Sequence, residues 1–305
     1  MVSKLQGLIA APFTPMLEDS SLNLAVINDY YQLLKRNKVS GAFIAGSTGE
    51  GVSMTLEEKI ELMQAWSTVS KDDADFHVIL LVGGTCLKDA MRLAAAAEAA
   101  GIYGIAFTAP FYFKPASAQV LAELCRQVAG AAPGTAFYYY HIPVLTGCHI
   151  PMYDLLKAVN GSIDNFCGIK YTHEDFMDFQ SCMHVEGGRY NMLWGRDENM
   201  LSSLPLGTKA AIGSTYNYAA PLYLDLMAAY QRGDLKTAEA LQQKSIDMIR
   251  LLGKYGGIAT GKAFMKLVNM DCGLFRLPVS NMNASDFEAF KKEVADLNFA
   301  SFCSK

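Results

Sequence analysis

The sequence predicts an α/β protein, a (β/α)8 TIM barrel with a C-terminal helical extension. Three observations carry that expectation. Short runs of apolar, β-branched or aromatic residues alternate with longer segments of helical period, as in repeated βα units around a parallel sheet. There are eight such runs, and none looks like the edge of an open sheet. The 305 residues contain no Pro/Ser-rich linker, low-complexity tract or obvious repeat, so one barrel of about 250 residues with an appended segment fits better than two separate units. An open doubly wound sheet is the alternative.

Taken in order, the strands fall on the apolar runs Leu8–Ala11, Ala42–Ala45, Val78–Val82, Gly104–Thr108, Ala136–Tyr140, Cys167–Lys170, Met192–Trp194 and Ala210–Ile212. Between them lie segments of helical period, Leu24–Lys38, Leu56–Val69, Leu87–Ala100, Ala118–Ala129 and Tyr153–Val159, and the eighth helix is expected at Pro221–Gln231. Thr55 with Glu58 forms a capping box at the start of the second of these. From Gln127 to Tyr153 the chain lacks Asp, Glu, Lys and Arg. Pro133, Gly134, Pro143, Gly147 and Pro151 divide that stretch into pieces too short for a membrane span, which leaves buried strand plus loop. Leu235–Leu252, Ala259–Met270 and Ser285–Asp296 read as further helices packed outside the barrel. The expected organisation is a barrel over residues 1–232 and an extension over 233–305, forming one structural unit.

Composition limits the partners. With 26 basic and 30 acidic residues the net charge is -4, so no field able to hold nucleic acid is expected. Seven cysteines, an odd set without a C-x-x-C pair, suit free thiols in a reducing, cytoplasmic setting better than a disulfide framework. Met1–Leu17 lacks the basic flank and apolar stretch of a signal peptide. The histidines His77, His141, His149, His173 and His184 show no paired ligand spacing, so no metal is expected.

In such barrels the chemistry sits where strands end, and four ends are polar: Gly46–Gly51, Tyr140-His141, Lys170-Tyr171-Thr172 and Gly213-Ser214-Thr215. A lysine directed into a partly dry barrel mouth loses part of its preference for the charged form, and the neutral amine can condense with a carbonyl to give an imine. Lys170 is either that nucleophile or a solvated strand-end lysine. Alternation puts Tyr138 and Tyr140 on one face and Tyr139 on the other, so Tyr140 is either a proton shuttle beside the amine or core packing. Gly46–Gly51, with Ser47 and Thr48, suits a small carboxylate, though an ordinary turn would look alike. Gly256–Lys262 matches most of a Walker loop, but Ala263 replaces the magnesium-binding hydroxyl and no strand precedes it, which rejects a nucleotide site. Cys167 reads as core, and His141 as a structural group rather than a ligand.

Taken together these motifs resemble the N-acetylneuraminate lyase branch of the dihydrodipicolinate synthase/lyase superfamily of class I aldolases. The likeness runs through Leu5–Leu8, Gly46–Gly51, Tyr140–Pro143, Gly168–Lys170, Gly195–Glu198 and Gly213–Asn217, then more weakly through Lys262–Met265 and Arg276–Pro278. It implies reversible cleavage of N-acetylneuraminate, a sialic acid, into N-acetylmannosamine and pyruvate, without a cofactor. Lys170 would carry pyruvate as an imine, Tyr140 would move the proton of the sugar C4 oxygen, and Ser47 and Thr48 would hold the pyruvyl carboxylate. Thr172, Gly195, Asp197, Glu198, Gly213 and Ser214 fall where the branch binds the sugar tail. Tyr112 matches an aromatic inserted into a neighbouring subunit, implying a homo-oligomer, usually a tetramer. Dihydrodipicolinate synthases place an arginine shortly after the Tyr-x-x-Pro segment, where this chain has Leu145. Its absence removes bidentate recognition of a second carboxylate and favours a neutral polyhydroxylated aldehyde. The remaining expectations are another pyruvate-dependent aldolase, or a barrel that binds a keto-sugar acid without turning it over.

Overall fold

The computed structural model describes residues 4–305. The signal-peptide reading of Met1–Leu17 therefore falls partly on residues outside the described ones. Eight parallel strands hydrogen-bond in sequence order and close on themselves, β8 pairing with β1. The first half runs β1 (Gly7–Ala10), α1 (Ile27–Arg36), β2 (Gly41–Ile44), α2 (Leu56–Ser70), β3 (His77–Leu81), α3 (Leu87–Ala99), β4 (Gly104–Phe107) and α4 (Ala118–Gly130). The second half begins with β5 (Ala136–His141), the one-turn α5 (Pro143–Thr146), α6 (Met152–Val159) and β6 (Phe166–Tyr171). It continues with α7 (Phe176–His184), β7 (Asn191–Trp194), the short α8 (Met200–Ser203), β8 (Ala210–Gly213) and α9 (Tyr216–Gln231). Beyond it lie α10 (Leu235–Lys254), α11 (Thr260–Leu267) and α12 (Ala284–Asp296). Among the described residues no helix is long and apolar enough to cross a membrane.

Two apolar layers follow from strand alternation. Side chains such as Ile9, Phe43, Ile79, Ala106, Tyr138, Tyr140, Leu193 and Ile212 fill the barrel interior. Their neighbours Leu8, Ile44, Leu80, Phe107, Tyr139 and Trp194 point outward and pack beneath the helices. The Thr55–Glu58 capping box is formed reciprocally, at 2.9 and 3.1 Å.

The structure moves several sequence-based boundaries. α9 begins at Tyr216, not Pro221, because a break at Ala219 (φ -141°) lets the helix start ahead of a proline that lacks an N–H. α7, N-capped by Asp175 with Asp178 N–H at 3.0 Å, and α5, opened by Pro143, occupy stretches in which the sequence shows no marked period. The Walker-like segment is no phosphate loop: Gly257–Ala259 makes a single 3-10 turn that leads into α11.

One irregularity sets the chemistry. Along β5–β6 the pairing runs Phe137 with Phe166 and then Tyr138 with Gly168, which leaves Cys167 as an extra residue. Phe166 and Ile169, three apart, consequently both face outward, and Lys170 faces the interior. Without this bulge, the alternation that begins at Phe166 would turn Lys170 toward the helices. Cys167 itself is half-buried against the inner layer rather than fully in the core.

Candidate active site

Lys170 is 4% exposed at the carboxyl end of β6, directly across the ladder from Tyr140. Its ammonium lies 4.1 Å from the ring centroids of both Phe43 and Tyr140. Burial pushes the Lys170 pKa down to about 7, against a partial upward pull from the negative charge of Asp197. At 4% exposure Lys170 is not the solvated strand-end lysine that the sequence left open. Tyr140 is 4% exposed, and burial pushes its pKa up to about 12 while the adjacent hydroxyls of Ser47 and Thr172 draw it back. Thr172 Oγ1 still makes no hydrogen bond of full geometry and remains a buried, open polar atom.

Ser47 and Thr48 sit in the loop leaving β2, Ser47 partly open to the barrel mouth and Thr48 buried. The loop is flanked by two non-glycine residues in the left-handed region, Ala45 (φ 52°) and Glu50 (φ 58°). Each such conformation costs on the order of 1–2 kcal/mol. The Glu50 side chain is anchored by a buried pair that sequence reasoning missed. Lys262 Nζ, on α11, donates to Glu50 Oε1 at 2.8 Å, and the Arg276 backbone N–H donates to Glu50 Oε2 at 2.7 Å. Both side chains of the pair are 3% exposed. A lone lysine inside the apolar run Ala259–Met265 was the available signal.

Asp197 and Glu198 open a 3-10 turn after β7. Asp197 is 5% exposed, its Oδ2 accepting from the backbone N–H and the hydroxyl of Thr215 at 3.0 and 2.6 Å. Its Oδ1 makes no hydrogen bond of full geometry, although the buried Tyr216 hydroxyl interacts with this carboxylate, and burial pushes the Asp197 pKa up to about 6. Gly213 is required beside it, because a Cβ there would come within 1.8 Å of Asp197 Oδ1; at Gly195 a Cβ would meet Thr172 Oγ1 at 2.0 Å. Ser214 and Glu198 are partly exposed at the rim. Glu198 already accepts from Arg196 Nη2 at 2.7 Å, and the same guanidinium reaches Glu174 Oε1 at 2.6 Å. Arg196 and Glu174, the latter beside His173, therefore tie the loops after β6 and β7 together.

Some residues stand apart from this cluster. His141 turns outward onto Tyr171, ring centroids 5.0 Å apart, and burial among other histidines pushes its pKa down to about 3, so it stays neutral. Tyr112, in the loop after β4, is 75% exposed, as is much of Phe113, Val144 and Leu145 nearby in sequence or across the mouth loops.

A carbonyl-reactive amine, an adjacent phenol, a hydroxyl-bearing loop and a buried carboxylate thus converge at the carboxyl ends of the strands. Residues 4–297 match the model of the dihydrodipicolinate synthetase family. The chain is 38% identical over 305 residues to the N-acetylneuraminate lyase of Pongo abelii, covering 98% of this chain and 94% of that one. Among solved structures it is similar to Proteus mirabilis N-acetylneuraminate lyase, with TM-score 0.94, 38% identity and coverage of 97% of this chain and 100% of that one. The Aliivibrio salmonicida N-acetylneuraminate lyase (sialic acid aldolase) superposes with TM-score 0.94 at 32% identity, covering 98% of each chain. On sequence, fold and site, this chain belongs to the dihydrodipicolinate synthetase family.

Proposed function

We propose that the protein is a Schiff-base aldolase that reversibly cleaves N-acetylneuraminate into N-acetylmannosamine and pyruvate. The observation that carries this reading is Lys170, buried in the barrel mouth against Tyr140 with its pKa lowered to about 7. The neutral amine adds to the C2 carbonyl of the open-chain sugar acid and loses water to form an imine. The cationic imine accepts the electron pair of the breaking C3–C4 bond as the C4 hydroxyl proton leaves. The aldehyde departs, the resulting enamine takes a proton at C3, and water releases pyruvate and the free lysine. Tyr140, a phenol that is protonated at neutral pH and that burial keeps so, gives its proton to the C4 oxygen in condensation, and cleavage runs that transfer backwards.

Ser47 and Thr48 hold the pyruvyl carboxylate. Thr172, Gly195, Asp197, Glu198, Gly213 and Ser214 receive the polyol and acetamido end, where the open oxygens Asp197 Oδ1 and Thr172 Oγ1 suit hydroxyl partners. Leu145, 61% exposed where an arginine would bind a second carboxylate, supports a neutral aldehyde product. We also propose a homo-oligomer, a tetramer, to which the exposed Tyr112 contributes, and a cytoplasmic setting supported by seven free cysteines.

The direct test is pyruvate release from N-acetylneuraminate by the purified protein. No release, with pyruvate still trapped on Lys170 by borohydride, would move the assignment to another 2-keto acid. Tyr140→Phe is expected to keep imine trapping while slowing cleavage by about 10²-fold or more, as for loss of a positioned acid/base; a wild-type cleavage rate would remove Tyr140 from the mechanism. Glu198→Gln is expected to raise the KM for N-acetylneuraminate more than it affects pyruvate trapping, and equal effects on both would turn Glu198 away from the sugar.

A further inference from the structure

We infer that Gln242 and Ser245, on α10 of the C-terminal extension, are positioning residues that set affinity for the sugar end of the substrate by holding the Asp197–Asn199 turn from behind. This inference rests on the functional reading above, in which that turn faces the sugar.

The buried stripe of α10 runs Ala238, Gln242, Ser245, Met248 and Leu251, so two polar side chains interrupt an otherwise apolar face. A buried amide is costly unless its donors and acceptor are satisfied. At Gln242 they are: Oε1 accepts from Leu201 N–H at 2.8 Å, and Nε2 donates to the carbonyls of Asp197 at 3.2 Å and Glu198 at 3.0 Å. Ser245 Oγ lies 3.5 Å from the same Asp197 carbonyl and 2.8 Å from the Tyr223 hydroxyl. Tyr223 in turn lies 2.7 Å from Thr215 Oγ1, which donates to Asp197 Oδ2 at 2.6 Å. The backbone carbonyl and the side-chain carboxylate of Asp197 are therefore two ends of one hydrogen-bonded circuit through α10 and α9.

Gln242 is 8% exposed and Ser245 fully buried, and their partners are the far sides of the turn. They act on substrate only through Asp197 and Glu198. A single 3-10 turn has poor internal hydrogen bonding, so external donors decide where its carboxylates stand. The circuit leaves Asp197 Oδ1 open for a substrate hydroxyl. The pyruvate end depends on other supports, β6 for Lys170 and the Glu50–Lys262 pair for the Ser47–Thr48 loop. Loss of the α10 contacts is therefore felt chiefly at the sugar end, since Asp197 touches the pyruvate end only through its partial pull on Lys170.

The test is a split between two readouts on the full chain: the KM for N-acetylneuraminate in pyruvate release, and the pyruvate concentration that half-saturates borohydride trapping on Lys170. Gln242→Met keeps side-chain length while removing the polar contacts. It is expected to raise the KM about tenfold, the order lost with one or two hydrogen bonds, while trapping stays within about twofold. Ser245→Ala should move the same readout by about threefold and serves alone if Gln242→Met fails to fold. An unmoved KM in the folded variants, or KM and trapping worsening together, overturns the inference. A wild-type chain that releases no pyruvate overturns instead the functional reading, and this inference with it.

Discussion

Replacing Lys170 by alanine is expected to abolish both pyruvate release and the mass gained on borohydride reduction with pyruvate, while the fold persists. The reason is chemical. An ordinary lysine is neutral only about once in several thousand at pH 7, whereas burial at the mouth brings the Lys170 pKa to about 7 and leaves about half of the amine neutral there. No other lysine is described against the Tyr140 ring. In the wild type, trapping should rise as pH passes through 7 and level off above about 8, because the neutral amine is the nucleophile. A rise continuing toward pH 10 would mean that the lysine is not desolvated in solution. Stability carries the matching sign. A depressed lysine pKa leaves the folded state with fewer bound protons than the unfolded chain between the two pKa values, so its penalty is largest at and below pH 7 and fades toward 10.5. Lys170→Met is expected to be more stable than wild type near pH 7, by a margin that shrinks at higher pH. Unchanged pyruvate trapping in Lys170→Ala would sink the mechanism.

The second large effect is expected from Lys262→Met. This change strips the buried Glu50 carboxylate of its ammonium partner. Breaking a buried pair from one side typically costs about 3–5 kcal/mol, much of it the uncompensated charge left behind. Adding Glu50→Gln should recover a good part of the loss, since the amide oxygen can still accept from Arg276 N–H and no charge is stranded. Urea midpoints of the single and double variants measure this directly; a single-variant loss below about 1 kcal/mol would show the pair to be solvated or dispensable. A functional consequence follows from the backbone. Ala45 and Glu50 hold left-handed conformations around Ser47 and Thr48, and without Lys262 the Glu50 side chain keeps the Arg276 N–H as its described hydrogen-bond donor. Half-saturation by pyruvate should therefore weaken in Lys262→Met, in contrast to Gln242→Met, which acts at the sugar end.

Much of this molecule is legible in local sequence pattern. Apolar runs of three to five residues between helical segments locate the strands to within a residue, because alternation and helical period record which face meets the core. The polar residues at the ends of strands two, five, six and eight identify the mouth, and resemblance to a family ties them to one reaction. The face that Lys170 presents was decided otherwise. It depends on the bulge at Cys167, a pairing property of two strands that a single run of residues does not display. The same holds for Glu50 with Lys262, 212 residues apart, for Gln242 behind Asp197, and for Arg196 between Glu174 and Glu198. Sequence by itself determined the eight strands, since these follow from short-range periodicity, and through resemblance to a family it singled out Lys170 and Tyr140 as candidates for the chemistry. Only the tertiary structure decided which buried polar groups satisfy one another, because those partners meet only after the barrel has closed and the C-terminal helices have packed against it.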